Sequence, residues 1–197
     1  MKARIKVINT EISTAFMFAV LLSIVISVFG ISTIGHAAAT AKEIDASADA
    51  ALDRFYKQVK GADEVVRNAK GLLVMPNVKK AGFIVGGEYG KGALRIGGQT
   101  VGYYRVVSGS VGFQLGVEAK DMILAFMTDD VLSRFRSSKG WEAGIDGNVA
   151  IIAVGGGGSA TTRNVNEPIV GYVFDVKGLL GDISLKGAKF TKIDPAK

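Results

Sequence analysis

From residue 81 onward, glycine interrupts one short β-like segment after another, and this punctuation constrains the fold more than any other feature of the chain. Gly82-Phe83-Ile84-Val85-Gly86-Gly87-Glu88-Tyr89-Gly90-Lys91-Gly92 opens the series. Gly102–Val107 and Ser110–Ala119 continue it, and Asp121–Met127 is a near-continuous apolar strand. Further strands read at 144–154, 169–176 and 181–193, with 155–168 as the obvious loop. Glycine inside strands marks bulges, sharp bends or close backbone approach. With 26 glycines in the chain, the pattern predicts a strongly curved, mainly antiparallel sheet or a small barrel.

The segment before the sheet has helical periodicity. Ile44, Ala48, Ala51, Leu52, Phe55 and Val59 recur at three- and four-residue spacing, with charged residues between them, which predicts an amphipathic helix over 41–60. A short helix follows from Ala62 to Lys70, with Asp63 and Glu64 in its first turn and Gly71 as its stop. Leu72–Met75 reads as a buried strand ended by Pro76-Asn77. A third helix begins at Thr128 or Asp129 and runs to about Phe135. The fold class is α+β, with the N-terminal helices packed on the sheet.

Lys2, Arg4 and Lys6, an apolar run through 15–29, and the small residues of 35–41 have the order of an export signal. Residues 1–37 therefore read as a signal peptide, and an uncleaved anchor is the alternative. The domain is expected outside the cytoplasm, in the periplasm and peripheral to a membrane. Removing Lys2, Arg4, Lys6 and Glu11 takes the 24 basic and 18 acidic residues to 21 and 17, a net charge of +4. Such a mild excess favours an anionic surface and does not single out nucleic acid.

The chain has no cysteine, and its one histidine, His36, lies in the segment to be removed. The mature part cannot build a Ser-His-Asp or Cys-His nucleophile system, or a zinc site of His and Cys. Carboxylate chemistry stays open. Glu88, Glu118 and Asp146 lie in glycine-rich strands, whereas Asp129-Asp130 reads as helix capping. Gly155-Gly156-Gly157-Gly158-Ser159-Ala160 mimics a dinucleotide fingerprint, but the polar stretch after it is a poor helix, and that fingerprint needs a helix N-terminus. Trp141 reads as a core or strand-start aromatic. Lys57, Lys60, Arg67, Lys70, Lys79 and Lys80 fit either a headgroup-binding patch or a solvated face.

Four segments give the chain a family likeness: Ala69–Pro76, Gly82–Gly92, Ser110–Asp121 and Val176–Gly187. In this order and spacing, residues from about 61 to 193 resemble the SYLF domain, also called the Ysc84 actin-binding domain. The last segment reads Val176-Lys177-Gly178-Leu179-Leu180-Gly181-Asp182 where the family is closer to Ser-Lys-Gly-Leu-Phe-Ala-Gly, and 94–107 also diverge. The resemblance implies lipid binding through basic and amphipathic elements near the domain's N-terminus. For an exported chain the expected ligand is anionic phospholipid, with actin not expected as a partner, no cofactor or metal, and no enzymatic activity. Phe55, Tyr56 and Val59 are expected to insert, while Lys57, Lys60, Arg67, Lys70, Lys79 and Lys80 attract headgroups. A periplasmic structural or protein-interaction module is the alternative. The expected layout is a signal at 1–37, an amphipathic helix within 38–60 and a SYLF-like domain over 61–197.

Overall fold

The computed structural model describes residues 39–82, 85–111, 116–154, 160–162, 167–177 and 185–196. The segment read as an export signal, the glycine run 155–159 and most of the motif at 176–187 lie outside the described residues. Ala38–Lys197 form one compact unit. Among the described residues, no helix is long and apolar enough to cross a membrane.

Helix α1 spans Ala41–Gln58. Its start is set by a capping box, in which the Glu43 N–H donates to Thr40 Oγ1 and the Thr40 N–H donates to Glu43 Oε2. The same bond from the Thr40 backbone holds Glu43 below the ordinary carboxylate range. Helix α2 covers Ala62–Asn68. Helix α3 covers Asp129–Ser137, with Thr128 at the N-cap position.

Among the described residues nine strands form one sheet: β1 Gly71–Gly82, β2 Val85–Ile96, β3 Gln99–Val111, β4 Gly116–Phe126, β5 Trp141–Glu142, β6 Ala150–Val154, β7 Ala160–Thr162, β8 Ile169–Lys177 and β9 Lys189–Ile193. Their order is β5-β9-β3-β2-β1-β4-β8-β6-β7. Every pairing is antiparallel except β6 beside β8. Among the described residues the sheet curls as a half-barrel with short strands at its two edges, in keeping with the strongly curved sheet that the glycine pattern predicts. Strand β7 takes up part of what reads as loop in 155–168.

Both faces of the sheet are covered. On one, Ile44, Ala48, Ala51, Phe55 and Val59 of the N-terminal segment pack on Leu72, Val74, Ile123, Ala125, Tyr172 and Phe174. On the other, Leu73, Met75, Met122, Leu124 and Phe126 meet Leu132 and Phe135 of α3 and an aromatic cluster with Trp141 and Phe190. Double coverage explains why the middle of β1 and β4 read as unbroken apolar runs rather than alternating ones.

Strand β1 does not end at Pro76-Asn77 as the sequence predicts. It runs on to Gly82 through a bulge, with its register shifting between Met75 and Val78 against β4. The bulge absorbs a proline that has no N–H to give, and it turns Asn77 to φ 48°. The Asn77 N–H then donates to the carboxylate of Asp121, 2.9 Å away. Gly92 lies against this bulge: a Cβ there would fall 2.0 Å from the Val74 carbonyl oxygen, so no side chain fits.

Asp121 also fixes α1. It is 1% exposed, and Arg54 reaches it with Nη2 at 2.6 Å and Nε at 2.7 Å. Arg54 Nε also lies 3.2 Å from Asp175. Arg54→Ala leaves the buried carboxylate with only the Asn77 N–H. We expect a loss of about 2 kcal/mol in urea unfolding, below the full buried-pair cost because Arg54 is partly open to water. At the other end of α1, Asp45 accepts from Thr100 Oγ1 (2.7 Å) and from the Tyr103 hydroxyl (2.8 Å). Arg95 Nη2 lies 2.7 Å from Asp49. The acidic first half of α1 is therefore bound to β2 and β3.

Candidate functional site

These ion pairs hold α1 across the sheet, from β2 and β3 at its first half to β4 and β8 at its second. One corner of the same face is left uncovered. Register places Lys79 beside Tyr89, Tyr89 beside Val107, and Val107 beside Lys189, across β1, β2, β3 and β9. Paired residues share a face, and so do residues two apart. A second row, Lys91–Arg105–Thr191, therefore lies alongside on the same face. Ala93, two positions beyond Lys91, packs in the core beneath α1, which assigns both rows to that face.

Tyr89 is 48% exposed and Val107 47%, as large apolar side chains seldom are in neighbouring register positions. Lys79, Arg105 and Lys189 are exposed, and Lys91 is half-buried. Among the described residues none of these four cations makes an ion pair. Across β1, β2, β3 and β9 neither row contains a carboxylate; beyond them the first row ends against Glu142 of β5, the register partner of Lys189. At about 4.8 Å between strands, the first row is about 14 Å long, with cations at both ends and the apolar pair between. Such a surface attracts anionic groups while its centre prefers an interface to water.

The residues singled out in the sequence are distributed differently from expectation. Phe55 is fully buried and Val59 nearly so; both pack in the core, and their assignment to membrane insertion is corrected accordingly. The Phe55 ring meets those of Tyr172 and Phe174 at centroid distances of 5.2 and 5.4 Å. Tyr56, Lys57, Lys60, Arg67 and Lys70 are exposed on the end of α1 and on or beside α2, elements separate from the corner rows. Lys79 stands in the corner. Lys80 is buried and belongs to the opposite face, between Glu88 and Glu118 in register.

On that opposite face Lys120 Nζ lies 2.8 Å from Glu88 Oε1, with both side chains nearly buried. Asp146 does not join them; it accepts from the Glu142 N–H at 2.7 Å and closes its own turn. Tyr89, Lys91, Arg105, Val107 and Lys189 were not legible as a site in the sequence. Their alternation is visible, but which face α1 leaves open depends on contacts between distant residues.

Residues 107–196 match the model of the Ysc84 family, described as Las17-binding protein actin regulator. No curated protein matches the chain. The matched span includes Val107 and Lys189, while β1 and β2 precede it. Those two strands are hydrogen-bonded between β3 and β4, so the matched part shares a single sheet and core with them. The match shows a Ysc84 (SYLF) family domain at residues 107–196.

Proposed function

We propose that the domain binds anionic phospholipid at a membrane surface, with the uncovered corner of the sheet as its contact. The observation that carries this reading is the row Lys79–Tyr89–Val107–Lys189, two exposed apolar side chains bracketed by cations that have no ion pair among the described residues. Tyr89 is suited to the headgroup level, where an amphipathic ring has both an apolar and a wet side. Lysines and arginines near an anionic surface contribute about 1 kcal/mol each, an attraction that salt screens. The exposed cations of α2 and the end of α1 add to the same long-range attraction.

The export-type N-terminus supports a site of action outside the cytoplasm, in the periplasm and peripheral to the membrane. The family description names actin regulation, a partner that an exported domain would not meet. We read the domain as a binding module without a cofactor rather than as an enzyme. The mature chain has no histidine or cysteine, and Glu88 is committed to Lys120.

Co-sedimentation of residues 38–197 with vesicles tests the reading. At low salt we expect at least about tenfold tighter partition onto phosphatidylglycerol vesicles than onto phosphatidylcholine, with the difference shrinking as salt is added. Equal binding to both would overturn the proposal. Indifference to lipid together with stable self-association in light scattering would favour a protein-interaction module.

A further inference from the structure

On the face of the sheet opposite the corner, α3 lines an open pocket of about 400 Å³ together with β3 and β9. That volume suits a small organic ligand. The stripe that α3 turns to the pocket holds Asp129, Leu132, Ser133 and Arg136, at the three- and four-residue spacing of one helix face. Val101 and Tyr104 of β3 and Lys192 of β9 stand across from it. Val101 is 41% exposed, an apolar side chain left to water unless a ligand covers it.

Charge is divided along this pocket. Lys192 is the register partner of Tyr104 and shares its face. A Cβ on Gly102 would lie 3.6 Å from Lys192 Cε and 4.0 Å from the Tyr104 hydroxyl oxygen, so the two groups meet over a bare glycine. Burial pushes the Tyr104 phenol up, and the Arg136 guanidinium stands near enough to pull it partly back. Both cations therefore gather about the Tyr104 hydroxyl. Asp129 sits two turns before Arg136 on α3, about 10 Å along the axis by backbone position. Among the described residues none of Asp129, Arg136 and Lys192 makes an ion pair, with one another or with any other side chain. One cavity thus holds uncompensated cations and an uncompensated carboxylate, with Leu132 and Ser133 between them on the helix. Such an arrangement is complementary to a ligand that carries an anion and a cation at opposite ends.

We propose that this pocket binds a short peptide with both termini free, its carboxylate on Arg136 and Lys192 and its ammonium on Asp129. A guanidinium takes a carboxylate in two parallel hydrogen bonds, and the lysine adds a point charge beside it. A single amino acid is too short, because both its charged groups sit on one carbon. An extended chain rises about 3.3 Å per residue, so three residues cover about 10 Å. Ser133 offers a hydroxyl to the peptide backbone midway, and the peptide's side chains cover Val101 and Leu132. The inference does not depend on the corner of the sheet, which lies on the other face.

Titration calorimetry of residues 38–197 at low salt with trialanine tests the proposal, with alanine, N-acetyl-trialanine and trialanine amide beside it. We expect saturable heat with trialanine and at least about tenfold weaker binding of each of the other three. Asp129→Asn should weaken trialanine binding about as much as acetylation does, and acetylating the peptide should then change little more. Arg136→Gln should stand in the same relation to the amide. Asp129 and Arg136 are exposed, so both variants should unfold at a Tm close to the parent's, which separates lost binding from lost folding. Lys79→Gln is expected to leave trialanine binding unchanged. No saturable heat with trialanine overturns the proposal. So does alanine or a blocked peptide that binds as tightly as trialanine, or trialanine binding that neither Arg136→Gln nor Asp129→Asn weakens.

Discussion

Truncating Phe55 to alanine is expected to lower the unfolding free energy by about 3–5 kcal/mol and to leave vesicle binding by the folded protein unchanged. Phe55 is fully buried and packs its ring edge-on against Tyr172 of β8. It fills the space between the second half of α1 and the sheet, in the cluster that also holds Ile123 and Phe174. Removing the ring leaves a cavity that α1 cannot close, because Arg54 and Asp45 fix the helix on either side. Urea unfolding reads the stability, and the midpoint should fall without a change in slope. A membrane-inserting Phe55 would give the opposite pair of results, with stability unchanged or raised and vesicle binding lost.

The same residue shows how much of the molecule could be read from its sequence. The spacing of Ile44, Ala48, Ala51 and Phe55 specifies an amphipathic helix, and Thr40-x-x-Glu43 marks its start. An apolar stripe looks the same whether it faces a sheet or a bilayer, so periodicity could not decide what Phe55 touches. Strand β1 was legible to Pro76 and no further. What carries it onward is the bulge and the carboxylate of Asp121, 44 residues along the chain, and no local rule anticipates that contact. The curved sheet itself was legible from glycine density, as at Gly92, where the sheet has no room for a side chain.

The corner site was hidden for a related reason. Tyr89, Lys91, Arg105 and Val107 alternate in recognisable strands, but a strand pattern does not say which stretch of a face remains uncovered. That depends on where α1 lies, and the Arg54–Asp121 and Asp45–Tyr103 contacts fix its position. Of the basic residues chosen from the sequence, only Lys79 falls in the corner. Lys80, its neighbour in the chain, points to the other face because side chains alternate along a strand.

The central claim is that this corner, rather than the buried stripe of α1, meets the membrane. Lys79, Lys91, Arg105 and Lys189 have no ion pairs among the described residues, so replacing all four with glutamine should leave unfolding within about 0.5 kcal/mol of the parent. At about 1 kcal/mol per charge, the combined attraction is about 4 kcal/mol, a partition ratio of order a thousand at low salt. Screening reduces this at physiological ionic strength, where the Debye length is about 8 Å. The decisive measurement is the partition coefficient of residues 38–197 on phosphatidylglycerol vesicles at low salt, for the parent and for the K79Q/K91Q/R105Q/K189Q variant. A fall of about a hundred- to a thousandfold in a variant that remains folded is the expected result. An unchanged coefficient, or an equal fall when Lys57, Lys60, Arg67 and Lys70 are neutralised instead, would contradict it.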